Sequence, residues 1–235
     1  MNFDFFQPET PLGKKINCFT LTKNFFDKNY INADKNNLIS NFLSFNGVPI
    51  QYMDQVHGKN VEFISSYSTI PSFNCDALFC SKSNLALAAL SADCMPIALS
   101  KNDGSDFAII HAGWKGLVSG VIESCVAAFT DEGETLSAWI GPSISKENYE
   151  VDKDFQKKFI KKDTKYSKFF LYKNKKKSYF NLRALINYQL SELGLKKIHN
   201  INRDTYSNDN LFFSHRRATH KGQKATGRLI NLISL

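Results

Sequence analysis

Three side chains in this sequence have the type and setting to hold a transition metal: His57 in DQVHG, Cys94 in SADCMPIAL and His111 in IIHAGW. Each stands at the end of an apolar run beside glycine, alanine or proline, where a backbone can turn sharply and leave a side chain facing a cleft. Two imidazoles and a thiolate suit zinc, with three ligands from the protein and a fourth tetrahedral position open to water or substrate. Copper could enter such a set by substitution. An open position belongs to a catalytic rather than a structural ion. On the residues alone, other roles stay open. A cysteine among apolar neighbours also serves as a small buried hydrophobe, which is how we read Cys75, Cys80 and Cys125. His57 equally serves as a turn residue bonded to backbone, and His111 as a satisfied strand-end histidine.

These residues need elements to position them. FAIIHAGW reads as a buried strand that passes through Gly113-Trp114-Lys115-Gly116 into a helix from about Leu117 to Thr130, closed by Glu132-Gly133. The helix follows from Leu117, Val118, Val121, Ile122, Cys125, Val126 and Phe129, which recur at helical spacing. PIQYMDQVHGKNVEFIS gives two strands around a His-Gly turn. A strand near Leu85 to Ser91 breaks at Ala92-Asp93-Cys94 and resumes near Pro96 to Ser100. SAWIGPSIS supplies another strand, SYFNLRALINYQLSELG a helix capped by Gly194, and KKIHNIN a strand after it. The tail LFFSHRRATHKGQKATGRLINLISL reads as a basic turn region before a last strand. Residues 1 to 30 read as irregular, and a short helix is expected over about 34 to 45, ended by Asn46-Gly47. Strands and helices alternate while several neighbouring strands are joined by turns. We therefore expect one α/β (α+β) domain over residues 1–235, layered, with mixed sheets flanked by helices.

Composition narrows the function. No apolar run approaches the roughly 20 residues of a membrane span, and the N-terminus lacks the basic start, apolar block and small-residue site of a secretory signal. A soluble, cytoplasmic protein is the expectation. Five cysteines without CxxC spacing argue against a disulfide framework or a zinc ribbon. The net charge of +8 is largely local to VDKDFQKKFIKKDTKYSKFFLYKNKKKSY, residues 151 to 179. There it reads as a solvated helix face and a lysine-rich loop rather than a nucleic-acid groove, since no RNP aromatic pair, GXXG clamp or helix-turn-helix pattern accompanies it.

DQVHG, CDALF, SADCMPIAL, HAGWKGLVSGV, AWIGPSIS and NLFFSHRR with a following TGR, in that order from about residue 50 to the end, resemble the bacterial laccase-domain family. That family is also called the polyphenol oxidase or multicopper oxidoreductase family, and more recently the purine nucleoside phosphorylase family with adenosine deaminase activity. The resemblance implies one zinc held by the His of QVHG, the Cys of ADC and the His of HAGW, here His57, Cys94 and His111. The sequence departs from the family at TLTKNFFDKNYIN, where members usually carry Arg-x-Gly-Gly-Ser, and at Asp204-Thr205, where many carry Cys-Thr. The first departure implies a rebuilt pocket wall.

The implied partners are a purine nucleoside and inorganic phosphate. Zinc at an open position lowers the pKa of water from about 15.7 toward about 7, which is what deamination of adenosine at C6 needs. Asp93, beside Cys94, is the candidate proton shuttle. Phosphorolysis needs an anion site, for which Gly113, Trp114, Lys115 and Gly116 offer helix-start amides and a cation; Ser214 of FFSHRR is a further candidate substrate-binding residue, and Arg216 and Arg217 offer guanidinium forks, the sequence leaving open which of the two turns inward. Trp114 serves either to stack on a purine or to plug the core. Two other chemistries are weighed. Laccase-type copper oxidation of phenols requires histidine pairs, and no two of the five histidines are separated by one residue. A cysteine amidase would use Cys94 as nucleophile and His111 as base.

Overall fold

The computed structural model describes residues 4–25, 44–45, 47–68, 73–81, 84–130 and 133–235. The expected helix over 34 to 45 falls almost wholly outside them. Two six-stranded mixed sheets form the body. The first contains β1 (Phe5–Phe6), β2 (Asn17–Leu21), β3 (Ser44–Phe45), β4 (Val48–Gln51), β7 (Ala86–Ser91) and β15 (Leu229–Ser234), in the order β1-β2-β15-β7-β4-β3. The second contains β5 (Val61–Ile64), β6 (Ala77–Cys80), β8 (Met95–Lys101), β9 (Phe107–Ala112), β10 (Leu136–Ile140) and β14 (Lys197–Asn200), in the order β14-β10-β8-β9-β6-β5. A small antiparallel sheet, order β11-β13-β12, joins β11 (Glu150–Asp152), β12 (Phe170–Tyr172) and β13 (Lys177–Phe180).

Side-chain alternation sorts the core into layers. Leu87 and Ala89 of β7 meet Leu78 of β6, Phe107 and Ile109 of β9, and Trp139 of β10 between the two large sheets. The opposite face of the second sheet, through Ala108, Ile110, Ile97 and Leu99, is covered by helices. Those helices are α1 (Trp114–Ser119), α2 (Val121–Val126), α3 (Lys153–Lys162) and α4 (Leu182–Glu192); α5 (His215–His220) lies further on. The expectation of mixed sheets flanked by helices holds, with one refinement: the inner layer packs sheet on sheet. Among the described residues no helix is long and apolar enough to cross a membrane.

Three local expectations are corrected. The helix expected to begin at Leu117 starts at Trp114 and is interrupted at Gly120, whose left-handed φ of 97° ends α1 and starts α2. Apolar spacing continues across that break, so periodicity alone could not register it. The serine-tyrosine-phenylalanine assigned to the start of the next helix belongs to β13, and α4 begins at Leu182, capped by Asn181 accepting from Ala184 N. The basic tail also contains a helix, α5, which Ser214 caps by accepting from Arg217 N.

The lysine-rich segment folds into α3 and the small sheet. Its phenylalanines Phe159, Phe169, Phe170 and Phe180 turn inward, whereas Tyr172 faces solvent. Phe180, fully buried, stacks on Phe170 with ring centroids 4.6 Å apart and meets Phe159 at 4.8 Å and Tyr149 at 5.5 Å. This cluster backs the wall that carries Tyr149 toward the site described below. Phe180→Ala is expected to cost about 3–5 kcal/mol in urea unfolding, because the rigid rings around the void collapse only partly. A loss below about 1 kcal/mol would show that the wall is not held by this packing.

Candidate metal centre

His57, Cys94 and His111 come from three separate connections. His57 lies in the loop between β4 and β5, Cys94 in the turn between β7 and β8, and His111 near the end of β9. One candidate ligand atom from each lies within 4.8 Å of the others, a separation that small side-chain rotations bring to the edge of a coordination tetrahedron. Among the described residues this is the one group of three or more such donors. The imidazole rings of His57 and His111 meet edge to face, 4.8 Å between centroids. Two imidazole nitrogens and one sulfur fit a single borderline-soft ion.

Backbone strain is concentrated at this spot. His57 has φ 58° and Asp93, next to Cys94, has φ 88°, two of the three described non-glycine residues with positive φ. Such conformations cost of order 1–3 kcal/mol each and persist where the surroundings enforce them. Here the enforcement is visible. Asp76, fully buried, accepts from His111 Nδ1 at 2.8 Å through one oxygen and from Gly58 N at 2.6 Å through the other. One carboxylate therefore fixes the His57 loop and the His111 ring together, leaving His111 Nε2 to face the cluster.

The same contacts set the charges. Burial alone would raise the Asp76 carboxyl, but hydrogen bonds from His111 and the Gly58 amide outweigh it and hold the group below the ordinary carboxylate range. Burial likewise opposes the charged forms of Cys94 and His111. Hydrogen bonds from the two imidazoles nevertheless pull the Cys94 thiol down, and Asp76 and Cys94 push His111 up. The result is a thiolate beside the His111 imidazolium, the ionisation that favours metal capture once that ring releases its proton.

Gly113 permits the close approach. It has ordinary extended backbone, φ −80°, but a Cβ there would lie 2.7 Å from His57 Cδ2 and 3.4 Å from Cys94 Sγ. Gly113→Ala is expected to push His57 aside and weaken metal binding about tenfold, by analogy with other disturbances of ligand support, read by competition with a chromophoric chelator. Unchanged affinity would show that His57 is not a ligand. Gly116 is similarly close-packed, with a built Cβ 2.8 Å from Gly58 O, and supports the loop rather than facing the cavity.

The cluster opens on two cavities. One, about 330 Å³, is lined by His57, Cys94, Gly113, Trp114, Lys115, Tyr149 and Arg216 among others. The second, about 420 Å³, is lined by Met53, Gln55, His57, Cys94, His111, His215 and Arg228 among others. His215 lines both. Trp114 packs on Phe155 at 5.1 Å and carries the Lys158 ammonium 4.9 Å above its ring, so it has both a plug's packing and a cavity face. The partly buried Tyr149 phenol, pushed above its ordinary range by desolvation, sits beneath the Arg216 guanidinium, 5.3 Å from the ring centroid.

Several residues expected at the site are held by contacts the sequence does not reveal. Asp93 accepts from Thr205 Oγ1 at 2.6 Å, Ser214 Oγ at 3.0 Å and Arg216 N at 2.6 Å. One oxygen thus holds the Thr205 hydroxyl and the other clamps the start of α5, while Asp93 also lines the cavity at the metal centre. Ser214, buried, is spent on that clamp and on capping α5. The two arginines separate: Arg216 lines the cavity, its Nη1 bonded to Glu150 O at 2.8 Å. Arg217 is pinned into its own loop by Thr205 O, Tyr206 O and Phe212 O and by the Asp209 carboxylate at 3.0 Å, so Arg216 is the one of the two that faces the cavity. Asp76, His215, Tyr149 and Arg228 were missed as site residues. A signal for Asp76 existed, because an acid in CDALFC shares strand parity with the inward-facing Leu78 and Cys80.

Fold and cluster together define an α/β domain with a metal-ligand site at the end of packed sheets. The chain belongs to the family described as multi-copper polyphenol oxidoreductase laccase, whose model matches residues 15–235. Its relatives include the purine nucleoside phosphorylase of Rickettsia conorii, 36% identical over 191 residues that cover 80% of this chain and 79% of the relative. The purine nucleoside phosphorylase YfiH of Escherichia coli is 33% identical over 184 residues, 78% of this chain and 73% of the relative. The fold matches the Neisseria meningitidis protein NMB0706 with a TM-score of 0.85 at 24% identity, covering 99% of each chain.

Proposed function

We propose that this chain is a zinc-dependent purine nucleoside phosphorylase with a companion adenosine deaminase activity. The observation that carries the reading is the His57–Cys94–His111 cluster exposed to a cavity flanked by Lys115 and Arg216. The curated relatives, named purine nucleoside phosphorylases, support it. When bound, the metal supplies Lewis-acid polarisation of an oxygen at the open position. Lys115 and Arg216 supply cations for phosphate, and Tyr149 and Trp114 supply aromatic surface for a purine. In phosphorolysis a phosphate oxygen bonds to C1′ while the C1′–N9 pair departs with the base, which then takes a proton. His215, facing both cavities, is positioned to provide that proton. Asp93 acts as a positioning residue by holding the Arg216 backbone.

The experiment is chromatography of adenosine and inosine incubated with zinc-loaded protein, with and without phosphate. Base and ribose 1-phosphate are expected only with phosphate; base released without it would indicate hydrolysis instead. Inosine formed from adenosine checks the deaminase. Copper oxidation of phenols is less well supported, because His199 and His220 lie away from the cluster, bonded to Thr10 and Tyr206, leaving too few imidazoles for a trinuclear centre. A cysteine amidase keeps one favourable observation, the depressed Cys94 thiol beside His111. Rapid alkylation of Cys94 in protein holding stoichiometric zinc would favour it, since a metal-bound thiolate reacts sluggishly.

A further inference from the structure

Behind Ile144, a residue that also lines the cavity at the metal centre, lies a separate polar cavity of about 430 Å³. It is lined by Arg183 at the start of α4, Arg203 in the segment after β14, and the side chains of Ser143, Ser145, Asn181 and Asn202. None of these belongs to the site described above.

The charges in this cavity do not cancel. Arg183 Nη2 donates to Ser143 Oγ at 3.1 Å and weakly to Gly141 O at 3.4 Å, both neutral acceptors. Its Nη1 is sealed from solvent and has no acceptor among the described residues. A buried guanidinium without a carboxylate is costly, and a buried donor left unpaired needs a physical reason. Burial pulls the Arg183 pKa down to about 10, which still leaves it a cation at neutral pH. The Arg203 guanidinium lies over the Phe6 ring at 5.6 Å, and no carboxylate pairs with it among the described residues.

The acids nearby are already committed. Asp204, which also lines the cavity, keeps its charge, but its oxygens are taken up by the amides of Ser145, Tyr206 and Ser207 and by Asn148 Nδ2, so it pairs with neither arginine. Glu147 stands 3.7 Å from Lys146, which also lines the cavity, and those two offset each other. What remains is two guanidinium forks with hydroxyl and amide donors around one space, the arrangement that recognises a tetrahedral oxyanion.

We infer that this cavity is a second anion site that takes a phosphate group, free or carried as a monoester on a small sugar. A modest turn of the Arg183 side chain brings Nη1 to such a ligand and gives it the acceptor it lacks. The site backs directly onto the metal centre. Ile144 N donates to Asp93 O at 3.2 Å, and Ser143 N to Arg203 O at 3.3 Å, so the segment between the two cavities is tied to both.

The test is calorimetric titration of the full chain with inorganic phosphate in one arm and ribose 5-phosphate in the other. The background is a Lys115→Ala/Arg216→Ala protein, in which the anion groups of the metal-centre cavity are removed. Binding is expected to persist there, to weaken at least tenfold on adding Arg183→Gln, and to survive in part with Arg183→Lys. Arg203→Gln, at an exposed position, is expected to weaken binding several-fold with an unchanged thermal midpoint, which covers the case in which Arg183→Gln does not fold. Tighter binding of one probe identifies whether the site prefers free phosphate or the ester. Binding lost in the background protein, or unaffected by Arg183→Gln and Arg203→Gln, overturns the inference. Nucleoside turnover is not the readout, so the result stands apart from the outcome for the proposed reaction.

Discussion

Cys94→Ala is expected to leave the protein folded, without stoichiometric metal, and with nucleoside turnover lowered by about 10³-fold or more. Removing the thiolate takes away the charged ligand and leaves two imidazoles, which no longer neutralise part of a divalent ion's charge. The Lewis-acid stabilisation thereby lost is worth several kcal/mol of transition-state energy, and about 1.4 kcal/mol corresponds to each tenfold in rate. Cys94 is partly rather than fully buried, so the stability cost of truncation is small compared with that effect. Cys125→Ala is the control: that thiol is buried in the core beneath the helices, and its loss should cost about 1 kcal/mol of stability while leaving metal content intact. Metal analysis and turnover on both variants check the prediction. Full metal occupancy and activity in Cys94→Ala would show that Cys94 is not a ligand and remove the basis for placing the metal at this cluster.

The second large effect is expected at Asp76. Asp76→Asn keeps the shape but loses the charge that orients and polarises His111, and metal affinity should fall about 10- to 100-fold. Asp76→Ala should do more. It would leave the buried His111 Nδ1 and the Gly58 amide without their shared acceptor, at 2.8 Å and 2.6 Å respectively, and cost roughly 3–5 kcal/mol of stability. The pair of variants separates two roles. If Asp76→Asn retains wild-type metal affinity while Asp76→Ala is unstable, the carboxylate is only a structural strut. Weakened affinity in a stably folded Asp76→Asn protein establishes it as a positioning residue for the metal. Zinc competition titrations and urea unfolding supply the two measurements.

The fold was legible where local pattern and burial agree. The short, turn-bounded apolar runs of β7, β8 and β9 announce strands buried on both faces, and the structure places them within one or two residues of their expected bounds. It was less legible where a break is made by backbone conformation alone, as at Gly120, or where a strand runs into a helix without an apolar gap, as from β13 to α4. The aromatic residues of the lysine-rich segment illustrate a further limit. Their sequence spacing marks a partly apolar face, but only the assembled small sheet shows Phe159, Phe170 and Phe180 closing on one another.

Taken alone, the sequence determined which side chains are able to hold a metal, because ligand type is a property of the residue and sharp turns are written in neighbouring glycine, alanine and proline. Tertiary structure decided what those side chains meet. Asp76 and His111 lie 35 positions apart in the chain, yet antiparallel pairing of β6 with β9 sets them face to face. Arg216 and Arg217 are adjacent in sequence but differ in fate, since Asp93 ties the first at the cavity while carbonyls of the neighbouring loop hold the second. Hydrogen bonding depends on distance and direction in space, and those are fixed only when strands from remote parts of the chain have packed.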